Sequence, residues 1–434
     1  MIKNFDDLAI NQERKAVLES FSYTLDFLNT SHLISVNLSY NKETRRIIVG
    51  DEEFSLTPTG KILVVAVGKC SYQAVQELNN IFGPDIRDGV VIDLADKEKD
   101  FLAPLRYYKG DHPYPTDNNV LATKELIKLL KSTQPEDIVI GIISGGGSTL
   151  LAQPTGDFSV SDEKGWLESL FKQGADIVEI NTVRKHLSTA RGGWWPTYTN
   201  EARLINLIFS DVVGDDLSFI SSGPTVLDKT TVADALKIIH KYNLNGLKDE
   251  YLIETPKDEK YFKQTKNILV ANNKLATLAM AEKLKIMGFE PIIKTNTLTG
   301  EAQEVGRQIA QELKKIPNGS ALIYGGETTV NITGQGQGGR NQELALASLE
   351  YIEEGELIMA VATDGFDNTP SAGAIADVIT KTKARENNLS IKDYLLNNDS
   401  YTFFNRIGQT INTGLTGINV ADLVVATKAK ADML

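Results

Sequence analysis

Lys61 to Phe82 reads KILVVAVGKCSYQAVQELNNIF. After the lysine, Ile62 to Val67 is a continuous apolar run, as expected of a parallel strand buried on both faces. Gly68 and Lys69 end the run, and CSYQAVQELNNIF has the composition of a helix. This order of strand, Gly-Lys and helix puts Lys69 at the carboxyl end of a strand and beside a helix N-terminus. Ligands bind at such points in open α/β sheets. Lys69 is therefore either an anion ligand or a solvated charge of the cap region.

The same alternation continues on both sides. Gly89–Leu94 (GVVIDL), Asp137–Ile143 (DIVIGII), Leu204–Phe209 (LINLIF), Ser320–Tyr324 (SALIY) and Glu356–Thr363 (ELIMAVAT) read as buried strands, and Asn267–Ala271 (NILVA) as the strand that opens a second half. Helices are expected over 5–29, 118–131, 181–193, 231–242 and 300–315, on to Met287 after Asn273, and from Arg340 onward. Asn37–Thr57 is β-prone, and Thr328–Thr333 fits a short strand. Strands alternating with helices define the α/β class. At 434 residues the chain is long enough for two domains. The polar, irregular stretch after Asn243 sets the expected division: 1–245, a linker at 246–264, and 265–434.

The chemistry-bearing residues fall at the strand ends. DIVIGII runs into Ser144, Gly145, Gly146, Gly147 and Ser148, a glycine turn flanked by hydroxyls. Such a turn can cradle phosphate or carboxylate through backbone N–H groups. It has no P-loop lysine, so it is not a Walker A motif. LINLIF delivers Asp211, and ELIMAVAT delivers Asp364; carboxylates there are candidates for magnesium ligands or general bases. The stretch Gly325–Leu346, GGETTVNITGQGQGGRNQELAL, carries Gly334, Gly336, Gly338 and Gly339 before a helix that starts at Arg340. It reads as an anion site made of backbone donors and one guanidinium fork, or as a glycine-rich turn with a surface arginine. NTVRKHLSTARGG places Arg184, Lys185, His186 and Arg191 in an acidic protein, and His112 lies in a proline-fixed loop as a ligand contact or a loop cap.

Composition narrows the class. A net charge of -12 argues against nucleic acid. A single cysteine, Cys70, rules out an internal disulfide and fits a reducing cytoplasm. Four histidines without clustered spacing argue against a structural zinc site. The first residues lack the pattern of a signal peptide, and no apolar run is long enough to span a bilayer, so neither export nor a membrane partner is expected.

Eight blocks, in order, resemble the class II glycerate 2-kinases, the MOFRL family: VAVGKCSYQA, GDHPYPTD, ISGGGSTLL, NTVRKHLSTARGG, SDVVGDDLSFISSGPTV, GGETTVNITGQGQGGRNQELALA, TDGFDNTPSAGA and TGLTGINVADL. The resemblance covers nearly the whole chain. It implies two α/β/α three-layer domains with largely parallel, mixed sheets and an active cleft between them. It implies magnesium-dependent transfer of the ATP γ-phosphoryl group to the 2-hydroxyl of D-glycerate. Lys69 and Arg340 match residues treated as catalytic in the family, and Asp211 and Asp364 match its aspartate blocks as bases or Mg2+ ligands. On this reading Ser144–Ser148, Gly336, Gly338, Gly339 and Asn341 hold nucleotide phosphates or the glycerate carboxylate. Arg184, Arg191 and His112 bind substrate. The oligomeric state, a homo-oligomer included, is left open.

The chain departs from the family pattern in three loops. DGFDNTPSAGA is shorter than the family's loop and has Ser371 near the position where an aspartate is usual. Leu227 replaces a proline after GPTV, and PTD replaces PD in the proline loop. A kinase for another small hydroxy acid is therefore an alternative. Hydroxypyruvate reductase is a weaker one, because no GxGxxG unit with a correctly spaced acid is present. A catalytically silent binding protein is the third alternative, and retention of Lys69, Asp211, Arg340 and Asp364 argues against it.

Overall fold

A computed structural model describes residues 2–94, 103–244 and 247–430. The chain forms two compact units: Thr30–Ser210 with Asp215–Val270, and Met1–Asn29 with Asp211–Gly214 and Ala271–Leu434.

In the first unit the helix Thr30–Asn37 leads into a small antiparallel meander, β1 (Leu38–Asn41), β2 (Arg46–Val49) and β3 (Glu52–Ser55). Its main sheet contains β4 (Ile62–Val67), β5 (Ile86–Asp93), β6 (Leu105–Lys109), β7 (Ile138–Ile143), β8 (Arg203–Phe209) and β9 (Thr265–Ala271), in the order β6-β5-β4-β7-β8-β9. From β6 to β8 all neighbours are parallel. Every residue of β4 and β7 is buried, which is why both read as unbroken apolar runs. The helices Ser71–Phe82 and Asp117–Lys131 pack on this sheet. Parallel neighbours deliver all their carboxyl ends to one edge, which gathers the loops after β4, β7 and β8.

The second unit contains β10 (Glu290–Leu298), β11 (Ser320–Gly326), β12 (Glu356–Ala362), β13 (Gly373–Asp377), β14 (Thr410–Ile411) and β15 (Asp422–Lys428), in the order β10-β11-β15-β12-β13-β14. This sheet is mixed. Only β10–β11 is parallel; the other four pairings are antiparallel. The expected largely parallel, mixed sheets are thus met with the two characters divided, parallel neighbours from β6 to β8 in the first unit and mixed pairing in the second. β15 enters last and runs antiparallel between β11 and β12, a placement that local pattern does not encode. The helices Gln12–Phe27 and Asn273–Ile286 pack together, and Ala302–Leu313 packs on Arg340–Leu349.

The division differs from the expected boundaries. Residues 1–29 belong with the C-terminal segment because Arg14 is fully buried there. Its Nε and Nη2 fork the Asp377 carboxylate at 2.6 and 2.7 Å. The strand NILVA, expected to open the second half, is β9 and completes the first unit's sheet. The expected linker at 246–264 also stays with the first unit. Locally, the expected helix over 5–29 is two, Phe5–Leu8 and Gln12–Phe27. Thr328–Thr333 is not a strand and makes one isolated bridge, Glu301 with Thr329.

Glu13 offers a test of the N-terminal packing. It is buried and accepts a 2.8 Å hydrogen bond from Thr427 on β15. Burial pushes its carboxyl up to about 7. The folded state thus holds this proton more tightly than the unfolded chain. As pH rises from about 4.5 to about 7 the unfolded chain ionises first, and stability from this site falls, by up to roughly 3 kcal/mol. Glu13→Gln keeps the acceptor and removes the charge. The variant should match wild type in denaturant unfolding near pH 4.5 and exceed it near pH 8. Equal stability at both pH values would refute the assignment.

Candidate active site

In the first unit, β4 hands over to Gly68 at φ +120°, where an added Cβ would collide with Ser144 Oγ at 2.1 Å. Glycine at this point lets the loops after β4 and β7 touch. The Lys69 N–H donates to the Gly145 carbonyl at 3.0 Å, and the Cys70 N–H to Ser144 Oγ at 3.3 Å. Gly146 takes φ +84° and faces the Lys69 side chain and the His112 ring; Gly147 starts the turn Gly147–Leu150. Ser148 Oγ lies 2.9 Å from Ser222 Oγ, and Ser221 Oγ donates to the Ser144 carbonyl at 2.9 Å. The glycine turn is thus braced from the β8 side by Ser221 and Ser222, both with positive φ.

This centre carries excess positive charge. Lys69 is exposed, and among the described residues no carboxylate pairs with it. Arg184 and Arg191 are both buried and share one carboxylate, Glu163 Oε1, at 3.3 and 3.0 Å. Two guanidinium groups on one carboxylate leave a net charge, and the shared oxygen is not well aligned for hydrogen bonding to either. Burial holds the Arg184 guanidinium down to about 10, against the pull of Glu163. His112 is held below its ordinary value by burial first, then by the charges of Lys69 and Arg184. The structure therefore brings Lys69, His112, Arg184 and Gly146 together. The helix expected over 181–193 spans Ile177–His186, so Arg191 reaches Glu163 from the segment beyond it. Lys185 turns the other way and pairs with buried Asp228 at 2.6 Å.

In the second unit the helix Arg340–Leu349 starts where the sequence placed it. Arg340 Nε and Nη2 fork Asp422 at 2.5 and 3.0 Å, and Nη1 reaches Glu327 at 2.8 Å. These pairings raise the guanidinium pKa despite burial. Asp422 is buried, which raises its carboxyl against the pull of Arg340. The Glu327 carboxyl is raised by burial first; Arg340 lowers it, while Asp422, Asp211 and Asp364 raise it further. Asp211 accepts from Asn419 Nδ2 at 3.3 Å, and Asp364 from the Phe366 N–H at 3.0 Å. Arg340 is thus surrounded by carboxylates, of which the sequence singled out Asp211 and Asp364 and missed Glu327, Asp422 and Asp367.

Asp367 changes the reading of the glycine-rich loop. Its carboxylate accepts the backbone N–H groups of Asn341 and Gln342 at 3.1 and 2.8 Å, and Asn341 Nδ2 at 3.2 Å. The anion at this helix N-terminus is therefore the chain's own side chain. Burial, then the charge of Asp422, push Asp367 up to about 7. The loop N–H groups are also spent internally. Those of Thr333 and Gly334 go to Asn398 Oδ1, Gln335 to Asn397 Oδ1, Gly336 to the Asn397 carbonyl, and Gln337 to Asp399 Oδ1. A Cβ at Gly336 would fall 2.3 Å from the Asp399 Cβ, one at Gly338 2.2 Å from Ser400 Oγ, and one at Gly339 2.0 Å from the Asp367 carbonyl. These glycines admit the 397–400 segment and the Asp367 loop. At Gly336, Gly338 and Gly339 the missing side chains make room for this self-packing, which fixes Arg340. Ser371 also turns inward: its hydroxyl lies 2.9 Å from each of the Gly373 and Ile411 carbonyls.

Among the described residues no three His, Cys, Asp or Glu side chains form a metal cage. Mg2+ does not need one, since it binds through one or two carboxylates, waters and substrate phosphates. The oxygen donors Asp211 and Asp364, both near enough to Glu327 to raise its carboxyl, fit that chemistry.

Two α/β units with glycine turns and charged residues at strand ends define a two-unit α/β protein with anion-binding character, and the comparisons give its family. Residues 16–252 match a domain of unknown function, DUF4147, and residues 320–422 match the MOFRL family. The glycerate 2-kinase of Pyrococcus horikoshii is 37% identical over 88% of this chain and 90% of its own. The D-glycerate 2-kinase of Thermotoga maritima is 36% identical over 84% and 90%. The crystal structure of a Thermotoga maritima glycerate kinase superposes with a TM-score of 0.85 at 32% identity, covering 96% of this chain and 99% of that one. The chain belongs to the MOFRL-type glycerate 2-kinase family.

Proposed function

We propose that this protein phosphorylates D-glycerate at its 2-hydroxyl with ATP, giving 2-phosphoglycerate and ADP. The observation that carries the reading is the excess positive charge around Lys69 in a protein of net charge -12. Relatives named glycerate 2-kinases match the chain nearly end to end. Phosphoryl transfer needs positioning and charge neutralisation more than covalent help.

Lys69 neutralises charge on the transferring phosphoryl group, and Arg340, held in plane by Asp422, does so through its remaining N–H edge. The turn Ser144–Ser148 offers backbone donors to phosphate oxygens. His112, held below its ordinary value by burial and then by Lys69 and Arg184, can donate a ring N–H to the glycerate carboxylate. Arg184 and Arg191 contribute positive potential to that carboxylate. Asp211 or Asp364 orients the 2-hydroxyl and takes its proton as the oxygen attacks phosphorus. The same two carboxylates are the residues that would hold Mg2+, whose chemistry is to neutralise the β- and γ-phosphate oxygens. A cytoplasmic location fits the single buried thiol, Cys70, and no helix among the described residues is long and apolar enough to cross a membrane.

The test is a product assay. Purified protein, ATP, Mg2+ and D-glycerate should yield 2-phosphoglycerate, resolved from the 3-phosphate by 31P NMR. Folded protein that phosphorylates a different hydroxy acid would move the acceptor and implicate the short Asp364–Ser371 loop. NADH-dependent reduction of hydroxypyruvate in place of phosphorylation would overturn the reading.

A further inference from the structure

The amino edge of the first unit's main sheet lies opposite the edge that carries Lys69 and the glycine turn. It holds a polar cavity of about 480 Å³, placed where β4, β5 and β7 begin. The six residues of β4 set it roughly 20 Å from Lys69. Arg45, from the turn between β1 and β2, Lys61, just before β4, and Arg87, near the start of β5, line it together with Asp85, Asp88 and Asp137. The formal charges balance, but their commitments do not. Both oxygens of Asp137 are taken, by the Lys61 and Gln134 N–H groups at 2.8 and 2.9 Å. Asp88 accepts from Arg106 Nη2 at 3.2 Å and from the Gly89 N–H at 2.7 Å. Asp85 lies at the Tyr40 hydroxyl, and its buried Oδ2 has no hydrogen-bond partner among the described residues.

The cations are the less committed side. Arg45 gives Nη2 to the Gly60 carbonyl at 2.7 Å, and its buried Nε has no acceptor among the described residues. Arg87 makes no ion pair among the described residues. Both arginines sit at backbone irregularities. Arg45 takes φ +52°, a left-handed conformation uncommon outside glycine. The pairing of β4 with β5 skips Arg87, since Ile62 lies opposite Ile86 and Leu63 opposite Asp88. Arg87 is therefore the extra residue of a bulge, a device that re-aims a side chain. The Tyr40 hydroxyl feels both guanidinium charges and that of Asp85, so the three groups converge on one end of the cavity.

We propose that this cavity is a second small-molecule site, taking an organic phosphate whose dianion lies between Arg45 and Arg87 and whose hydroxyl donates to Asp85. Two guanidinium groups suit a dianion, and each offers its donors as a fork. The cavity is larger than a bare ion needs and falls in the size range of small-molecule sites. It shares no residue with the centre around Lys69, so the inference stands apart from the kinase reading.

The test titrates the full-length protein calorimetrically with glycerol 3-phosphate as the probe. Wild type should show a saturable binding event that persists in Lys69→Ala. Arg87→Glu should weaken that event roughly tenfold or more. Its melting temperature without probe should stay as in wild type, because the Arg87 side chain is exposed. Arg45→Lys keeps the charge but loses the fork, and should weaken binding as well. Inorganic phosphate, which lacks the carbon-borne hydroxyl, should bind wild type less tightly than the probe, and Asp85→Ala should abolish that difference. Equal probe affinity in wild type and Arg87→Glu would overturn the inference, and so would the absence of binding to wild type at millimolar probe. An event lost in Lys69→Ala and kept in Arg87→Glu would place the probe at the Lys69 centre and overturn it equally.

Discussion

Arg340→Ala should lower kcat by roughly a thousandfold, equivalent to about 4 kcal/mol of transition-state stabilisation. It should also destabilise the fold. The two effects have separate causes in one side chain. The guanidinium neutralises two carboxylates, Asp422 by a fork and Glu327 by a single contact. Removing it leaves Asp422 buried without its partner, and breaking such a pair from one side costs a few kcal/mol. Arg340 is itself 27% exposed in its side chain, so the loss should fall toward the lower end, about 2 kcal/mol. Arg340→Lys should rescue little activity, because an ammonium is a point charge and cannot make the fork. The double variant Arg340→Ala with Asp422→Asn separates the effects. Asparagine needs no counter-charge, so melting temperature should recover in part while kcat stays low. Wild-type turnover in Arg340→Ala would remove Arg340 from the chemistry. Recovery of both quantities in the double variant would make its role purely structural.

The Arg340 network also shows where sequence reading stops. Arg340 was legible because glycines and a helix start bracket it. Asp422 lies 82 residues away, at the head of β15, and its carboxylate is indistinguishable in sequence from a strand cap. Only the antiparallel insertion of β15 between β11 and β12 brings it to Arg340. The glycines at 336, 338 and 339 were equally ambiguous. A glycine that admits a phosphate and one that admits Asp399 or Asp367 look the same along the chain. β9 is the third instance: its apolar pattern announces a strand, but which sheet it joins depends on pairing that is not local. By contrast the loop after β4 was readable in full, because a strand, one glycine, one lysine and a helix specify both the turn and its position. Local signals carried element type and strand-end chemistry; nonlocal pairing decided which charges meet.

Lys69→Ala makes the complementary case, a large loss of activity with no loss of stability. The Lys69 side chain is exposed, and among the described residues no carboxylate depends on it. Alanine there removes no buried pair, so melting temperature should stay within about 1 °C of wild type. On the role proposed for it, a cation that stabilises the transition state of phosphoryl transfer more than bound ATP, the catalytic loss should nevertheless approach a thousandfold in kcat. His112 supplies a readout that does not depend on turnover. Its depression comes from burial, then Lys69, then Arg184. Deleting the ammonium removes the second of these, so the His112 imidazole should titrate at higher pH, measurable from its ring protons by NMR. A thousandfold loss together with the upward His112 shift would place the Lys69 charge at the reacting centre. Unchanged kcat would remove Lys69 from the chemistry even if the His112 shift were seen. Lost activity with no movement of His112 would mean that the Lys69 ammonium is directed away from the Gly146–His112 side of the turn.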